Sequence, residues 1–454
     1  MGAMRTVRAT VGLALAASLI AVPTASAGHD GHCARMARLH VPAAELVRPA
    51  CLGDLTTAGT ALTGHTDPAD WGGLHPAGAV NPTGVPGIQL DGYFPDSSTG
   101  NTNHGWAHDS QFVIRLPDNW NGGLVVSGSP GVREQYANDF VISDWVLARG
   151  YAFAATDKGN TGVRFYEDGG EPGDAIAEWN DRVTQLTIAA RATVAQRYGR
   201  PPQRTIAAGV SNGGYLVRWQ LENRPWLYDA GLDWEGTLWR TEGPNLLTFL
   251  PPTLRGYQRL LAGDPAGRDA VIAAGFPAES EFLWQFHHSV YWDLTQRIYR
   301  EELDPGYDGE LAAGIPFCAS GTPNCDADYD YASRPDEVRE AVAKIALTGR
   351  IGRLMITLHG TLDTLLPIRD SDVYRGLVEQ AGRGGAHRYY RLEGGNHVDG
   401  LYALFPDRLR PILPCFHAAL DAAEGWLAGV RPPASATLPR PTSGDLANTC
   451  SLTG

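Results

Sequence analysis

A serine stands between two glycines in the stretch "GVSNG", residues 209 to 213, after a run of small and apolar residues. A serine hydroxyl becomes a nucleophile only when a base, and a group that orients the base, lie within hydrogen-bond reach. Asp363, in "LHGTLDTLLP", and His397, in "GGNHVDG", follow Ser211 in the order acid and then histidine. We therefore predict that Ser211, His397 and Asp363 form a catalytic triad.

Each member of the predicted triad follows a predicted strand. Ser211 lies between the strand "RTIAAGV" (204 to 210) and the helical stretch "GYLVRWQLENR". Asp363 follows the strand "GRLMITLHG" (352 to 360), and His397 follows the strand that begins at residue 387. A sharp strand-turn-helix needs glycine on both sides of the serine, because a side chain there would collide with the neighbouring backbone.

Other interpretations of these residues remain open. Asp233, after the predicted strand "YDAGL", is the alternative acid. Taken singly, Asp363 also fits a turn former and His397 a surface-loop histidine. We expect His359 to be a structural loop histidine, and Asp399 to be too close in sequence to His397 to face its ring.

An oxyanion hole requires backbone N–H groups that point at the developing negative charge. One donor usually comes from the residue after the nucleophile, here Asn212, and one from a loop after an early strand, here "VVSGSPG" (125 to 131). Pro130 has no N–H, so Ser129 or Gly128 is the second candidate. The alternative is that these glycines serve only the turn.

Short apolar runs bounded by glycine predict strands that are buried on both faces, as in a parallel sheet. Strand, helix and strand then alternate, which is the crossover unit of an α/β sheet. We predict an α/β fold with a mostly parallel sheet flanked by helices. Further predicted strands are 111–116, 124–128 and 151–156, and predicted helices are 174–199, 371–382 and 413–429.

The chain of 454 residues exceeds what one core usually serves, so we expect one main domain with an insertion. The aromatic-rich middle shows helical patterns and no clear buried strand. The predicted segments are an export signal (1–27), a core with an N-terminal wrap (28–235), a helical lid insertion (236–345), a second part of the core (346–431) and a proline-rich tail (432–454).

The first 27 residues resemble an export signal. Arg5 and Arg8 precede an apolar run (11–22), and the small residues 25–27 precede a cleavage site before Gly28. An exported chain favours disulfides. Six cysteines allow about 15 pairings, and proximity in sequence favours Cys33 with Cys51, Cys318 with Cys325, and Cys415 with Cys450.

Charge and hydropathy exclude two kinds of partner. The formal net charge is −13 and no Lys/Arg run occurs, which argues against nucleic acid. No segment after the export signal offers the roughly 18 uninterrupted apolar residues of a membrane span. The sequence therefore predicts a secreted, soluble protein whose partner is its substrate.

On the triad motifs, the sequence resembles the α/β-hydrolase superfamily over most of 105–235 and 346–430. The strings "GYAFAATDKGN", "IAAGVSNGG", "HGTLDTLLP" and "GGNH" are similar to the tannase and feruloyl esterase group, and "SNGG" also resembles the 3-hydroxybutyrate oligomer hydrolases. The resemblance implies a secreted serine carboxylesterase with a lid over the serine, and no organic cofactor.

A second acidic motif lies in the insertion, in "CDADYDYASRPDE" (325 to 337). Asp326, Asp328 and Asp330 alternate, and Glu337 is the twelfth residue from Asp326, as in a calcium loop. Tyr331 stands where an EF-hand requires glycine. The segment also resembles the calcium loop of tannase-like lids, which implies a structural calcium ion; the alternative is a solvated acidic loop.

Three functions follow from these residues. The first is hydrolysis of small-molecule or polymeric esters with an aromatic or hydroxyalkanoate acyl group. The second is a secreted serine aminopeptidase on the same fold, whose lid would hold the substrate amine with Glu279, Glu281, Glu301 or Glu302. The third is a catalytically inactive binding protein.

Overall fold

One ten-stranded sheet organises the chain in a computed structural model that describes residues 36–307 and 326–453. The predicted export signal lies outside the described residues. The strands are β1 (Leu46–Leu52), β2 (Gly87–Tyr93), β3 (Gln111–Pro117), β4 (Gly123–Gly128), β5 (Ala152–Thr156), β6 (Arg204–Val210), β7 (Ala230–Trp234), β8 (Leu354–Gly360), β9 (His387–Leu392) and β10 (Ala436–Leu438).

The strands follow the spatial order β1-β2-β3-β5-β4-β6-β7-β8-β9-β10. The neighbours from β1 to β5 pair antiparallel. All neighbours from β5 through β4 to β10 pair parallel. The predicted mostly parallel sheet is confirmed, and the carboxyl ends of β6 to β9 meet at one edge.

The helices are α1 (Thr57–Leu62), α2 (Asp144–Ala148), α3 (Asp174–Tyr198), α4 (Asn212–Asn223), α5 (Leu246–Leu261), α6 (Ala266–Ala274), α7 (Glu281–His287), α8 (Asp293–Leu303), α9 (Asp336–Ala343), α10 (Ile368–Gln380) and α11 (Leu413–Leu427). Gly199, with φ 76°, ends α3 as predicted. Helix α10 begins earlier than predicted, directly after Pro367. Within the described ranges, no helix is long and apolar enough to cross a membrane.

The sheet is buried on both faces, which explains its apolar strands. Along β4, Leu124 and Val126 join one hydrophobic cluster and Val125 joins the other, because successive side chains point to opposite faces. Helices α3 and α4 cover the first face, and α2 and α11 cover the second. The two clusters hold the sheet edge in a fixed position.

Residues 236–345, here called the helical insertion, join β7 to β8. Their described part forms α5 to α9 and contains no strand. Its buried tryptophans belong to the same hydrophobic cluster as the first face of the sheet. The prediction of helical structure is confirmed for the described residues.

The C-terminal tail differs from the prediction, because residues 436–438 form β10 and pair with β9. The predicted disulfide Cys415–Cys450 is present. Cys51 is disulfide-bonded, but its predicted partner, Cys33, lies outside the described residues, as does the predicted pair Cys318–Cys325.

Candidate active site

Ser211 occupies a strained turn between β6 and α4. Its φ of 58° and ψ of −120° are unfavourable for a residue with a side chain. A Cβ at Gly209 would lie 2.3 Å from the backbone of Gly213, and a Cβ at Gly213 would lie 2.6 Å from the carbonyl of Gly128. Both glycines are therefore required by sterics, as the sequence predicts, and the turn leaves Ser211 half-buried.

Asp363 and His397 meet in the buried interior behind this turn. Asp363 follows β8, and its Oδ2 lies 2.8 Å from Nδ1 of His397, which follows β9. The Oδ1 atom of Asp363 accepts the backbone N–H groups of Leu365 and Leu366 at 2.7 and 2.9 Å. The acid is thus fixed by its own loop and directed at the imidazole.

The loops of Ser211 and His397 are joined through Trp234, at the end of β7. The backbone N–H of Ser211 donates to the Trp234 carbonyl at 2.9 Å. The indole N–H of Trp234 donates to the His397 carbonyl at 3.1 Å. In the described parts of the chain, the Ser211 hydroxyl makes no hydrogen bond with the His397 ring. A catalytic hydrogen bond in an unliganded enzyme is often long and tightens only with substrate.

The alternative acid, Asp233, is committed elsewhere. Its Oδ2 lies 2.7 Å from Nε of the buried Arg218 and accepts the Thr357 hydroxyl at 2.9 Å. Asp399 accepts the backbone N–H groups of residues 412 and 413, at the start of α11. Neither contacts the His397 ring.

His359 contacts the carboxylate of Asp363. Its Nε2 lies 3.1 Å from Oδ2 of Asp363 and 3.0 Å from the Leu366 carbonyl. Its Nδ1 lies 2.7 Å from the Ser371 hydroxyl. His359 therefore has the predicted structural role, but it lies in strand β8 and not in a loop, and it also orients Asp363.

The sequence analysis missed Glu235, a second carboxylate at His397. Its Oε2 lies 3.2 Å from Nδ1 of His397, and its Oε1 accepts the Gly360 N–H at 2.5 Å. Glu235 is fully buried and has φ 52°. It directly follows β7, so a test of every acid at a strand end, rather than of Asp233 alone, would have found it.

The two carboxylates set the proton affinity of His397. Burial alone would lower the pKa of its imidazole, but Asp363 and Glu235 outweigh burial and raise that pKa. Burial would raise the pKa of Asp363, but His397 and His359 outweigh it and hold that pKa well below its ordinary value. Burial and the charge of Asp363 raise the pKa of Glu235 well above its ordinary value. The site therefore favours an ionised Asp363 beside a protonated Glu235.

The predicted oxyanion donors differ in whether their backbone N–H groups already have a hydrogen-bond partner. Asn212 is the first residue of α4, so its backbone N–H has no partner within the helix. The backbone N–H of Ser129, in contrast, donates to the Thr156 carbonyl at 3.1 Å, so the prediction for Ser129 is not supported. Gly128 remains a candidate, and Gly131 becomes one because its carbonyl accepts the Asn212 amide at 3.0 Å.

Lys158 binds the loop that contains Ser129 from the protein interior. Its Nζ lies 2.5 Å from the Ser129 hydroxyl, which donates to the Arg133 carbonyl at 2.6 Å. Lys158 is fully buried, lies 5.1 Å from the centre of the Trp179 ring and has φ 79°. Burial lowers the pKa of Lys158 to about 7. No sequence pattern indicates this contact, since it joins two separate loops.

The helical insertion reaches both sides of the candidate site. The Asn212 amide donates to the Tyr299 hydroxyl at 2.6 Å, and the Trp292 indole donates to the Thr364 carbonyl at 2.7 Å. His287 lies close enough to Asp363 and His397 for its pKa, which burial lowers to about 3, to respond to both charges. The insertion therefore lies over the candidate triad.

The predicted calcium ligands are not arranged as a cation site. The Oδ2 of Asp326 lies 2.8 Å from Nε of Arg300, and Asp330 accepts the Ala332 N–H. The carboxylate groups that converge within 4.8 Å in the described ranges do not include Asp326, Asp328 and Asp330. The guanidinium of Arg300 thus occupies the carboxylate of the first predicted ligand, and the structural calcium ion stays a prediction.

The comparisons with known proteins concern the fold. No family model matches the chain, and no curated protein matches it. The structure is similar to feruloyl esterase B from Aspergillus oryzae, with a TM-score of 0.51, 12% identity, and coverage of 89% of this chain and 91% of that one. It is also similar to an esterase from Aspergillus oryzae, with a TM-score of 0.50, 13% identity and the same coverage. The chain therefore has the α/β-hydrolase fold.

Proposed function

We propose that the protein is a secreted serine hydrolase that cleaves carboxylic esters through an acyl-enzyme. The observation that carries the proposal is the strained Ser211 turn, tied through Trp234 to the buried pair of His397 and Asp363. Ser211 attacks the ester carbonyl, and His397 takes its proton at Nε2 and returns it to the leaving alcohol. Asp363 keeps the Nδ1–H tautomer, and water then releases the acid.

Negative charge on the substrate oxygen is stabilised by backbone N–H groups. Asn212 supplies one, and the loop of Gly128 and Gly131 supplies the other. The half-positive N-terminus of α4 favours the same charge. Because these donors are fixed before the reaction, they stabilise the transition state more than the substrate.

The acyl group that we propose is aromatic or a hydroxyalkanoate. Tyr299 and Trp292 offer ring surfaces beside the site, and His287 and Gln296 are buried polar side chains of the same insertion. Pockets of this kind bind an apolar body with a few polar groups on it. The feruloyl esterase named above acts, by its name, on a phenolic ester, which agrees with this choice.

An aminopeptidase is less well supported. Among the predicted amine-binding carboxylates, Glu302 accepts the Ile176 N–H, Glu301 lies 2.9 Å from Arg300, and Glu281 pairs with Arg268. These contacts occupy charges that a peptidase would direct at a substrate amine.

The replacement of Ser211 tests the proposal. In Ser211→Ala, hydrolysis of p-nitrophenyl esters should fall on the order of 10⁴-fold or more, because the nucleophile is lost. A fluorophosphonate probe should label the wild type and not the variant. Ser443→Ala, at an exposed serine, is the matched control and should keep full activity.

Two results would overturn the ester proposal. Rapid turnover of aminoacyl anilides with poor turnover of esters would indicate a peptidase. Unchanged ligand binding together with no turnover in either protein would indicate a binding protein.

A further inference from the structure

Glu235 reaches His397 from a different strand than Asp363 does. Its side chain is anchored at one oxygen, since Oε1 accepts the Gly360 N–H. The other oxygen, Oε2, lies 3.2 Å from Nδ1 of His397 and, among the residues that the structure describes, has no other hydrogen-bond partner. Glu235 and Asp363 therefore face one and the same N–H.

A purely structural role does not explain this arrangement. A buried polar atom without a partner costs about 1–3 kcal/mol, and a left-handed backbone at a residue with a side chain adds about 1 kcal/mol or more. Both costs fall on Glu235, with φ 52°. An apolar residue at this position would avoid the first of them.

A bound cation does not explain it either. Glu235, His359 and Asp363 bring ligand atoms within 4.8 Å of one another. The two oxygens of Asp363, however, already face two backbone N–H groups and two histidine nitrogens. His359 Nε2 acts as a donor to the Leu366 carbonyl. The ligand atoms of Asp363 and His359 are therefore already used in hydrogen bonds and are not free for a cation.

We propose that Glu235 is a reserve acid, a second positioning residue at the same N–H of His397, which orients the imidazole when a substitution removes the charge of Asp363. The proposal rests on the proposed function, because it concerns the same imidazole. It assigns one histidine two acids, one at the end of β7 and one at the end of β8.

The proton balance follows from the contacts. In the wild type Asp363 is ionised and accepts Nδ1–H, while Glu235 keeps its proton. When Asp363 becomes neutral, the repulsion that holds the proton on Glu235 disappears. Glu235 then releases one proton to solvent, and Oε2 accepts Nδ1–H. The tautomer with a free Nε2 is thereby retained.

Asp363→Asn, Glu235→Gln and the double variant test the proposal. In Asp363→Asn, the carbonyl oxygen of the new side chain keeps the two backbone hydrogen bonds of the loop, and its amide group faces His397, which disfavours Nδ1–H. The Glu235→Gln side chain imitates the protonated carboxyl and cannot ionise. Asp363→Asn combined with Glu340→Gln, at an exposed glutamate of α9, is the matched control.

Loss of the only acid in a triad costs about 10⁴-fold in kcat, through the wrong tautomer. With a reserve acid, Asp363→Asn should lose on the order of 10²-fold, and the double variant on the order of 10⁴-fold. The control double variant should equal Asp363→Asn. Glu235→Gln alone should lose about 10-fold or less, because Asp363 still orients the ring.

The pH profile separates this role from a structural one. Asp363→Asn should lose activity as the pH falls through the pKa of Glu235, which burial keeps above its ordinary value. The other titratable groups near the pair are His359, His287, Tyr291 and Asp370, which are the same in all variants. The double variant should lack this limb. A downfield proton resonance of Nδ1–H should persist in Asp363→Asn at high pH and disappear in the double variant.

The result that overturns the proposal is an Asp363→Asn variant as inactive as the double variant, with no Nδ1–H resonance. If wild type and Ser211→Ala hydrolyse esters equally, the proposed function fails instead. Should the double variant not fold, Asp363→Asn with Glu235→Asp, whose shorter arm withdraws the carboxylate, replaces it.

Discussion

Four backbone or ring N–H groups lie within hydrogen-bond distance of the Asp363 carboxylate, whereas the amide of Gln296 has no hydrogen-bond partner within the described residues. Both side chains are fully buried. Asp363 belongs to the loops after β6 to β9, here called the strand-end loops, and Gln296 belongs to α8 of the helical insertion. Equally buried polar side chains are thus hydrogen-bonded to different extents in the two regions.

This difference in hydrogen bonding corresponds to two functions, the chemical step and the binding of substrate. In the strand-end loops each candidate residue is fixed by its own backbone and by a neighbouring loop, as a reacting group requires. The helical insertion touches the site through single hydrogen bonds, such as that of Tyr299, and keeps polar atoms unpaired. We infer that changes in the strand-end loops affect kcat and that changes in the insertion affect KM and substrate choice.

The largest effect in the strand-end loops is expected from Gly213→Ala. The new Cβ would lie 2.6 Å from the Gly128 carbonyl, so the Ser211 turn or the loop of Gly128 and Gly131 must move. A displacement of about 1 Å at reacting groups costs on the order of 10²-fold in rate. We expect kcat for a p-nitrophenyl ester to fall by that factor with a smaller change in KM.

The control for this prediction is Gly376→Ala. Gly376 lies in α10 with open space around its Cα. Its replacement should leave activity unchanged and raise the free energy of unfolding by about 0.5–1 kcal/mol, measured by urea titration. Full activity of Gly213→Ala would show that the turn can shift without loss of function. The proposed difference between the strand-end loops and the helical insertion would then be wrong.

Much of the sheet was predictable because its strands are apolar runs between glycines, which few other structures accommodate. The contact of Asp363 with His397 was predictable because parallel strands bring their carboxyl ends to one edge. Strand β10 was not, since three residues among prolines carry no alternating pattern.

The features of the site that the sequence analysis missed depend on which of two residues, close together in sequence, points into the site. Asp233 and Glu235 are two residues apart, and the pairing of Asp233 with Arg218 appears only in three dimensions. The Ser129 amide was predicted as an oxyanion donor because the sequence does not reveal its actual partner. That partner is the carbonyl of Thr156 in β5, and the sequence does not specify that β5 lies beside β4.

A smaller effect is expected from Lys158→Met, which tests how the oxyanion loop is held. The change removes the hydrogen bond to the Ser129 hydroxyl, and a hydrogen bond from a charged group contributes about 1.5–3 kcal/mol. We expect kcat to fall by about 10-fold with KM unchanged, since Lys158 acts through the loop. Lys344→Met, at the only other lysine, is the control and should keep kcat.

The stability of the same pair of proteins should depend on pH. Burial lowers the pKa of Lys158 from 10.5 to about 7, so the unfolded chain binds more protons than the folded one between these values. The free energy of unfolding of the wild type should therefore rise relative to Lys158→Met as the pH increases through this range. A difference that stays constant with pH would contradict the lowered pKa of Lys158 in the folded protein.

The smallest effect, and the one that sharpens the comparison most, is expected from Gln296→Leu in the helical insertion. Gln296 lies one turn before Tyr299 on α8, and its two unpaired polar atoms each cost about 1–3 kcal/mol in the unliganded protein. Their removal should raise the melting temperature, whereas the exposed control Gln285→Leu should not. If a hydroxyl on the acyl group pairs with this amide, KM for hydroxylated aromatic esters should rise a few-fold while KM for unsubstituted ones stays the same. A lower melting temperature would mean that the amide is paired in the folded protein, and the insertion would then be as fully hydrogen-bonded as the strand-end loops.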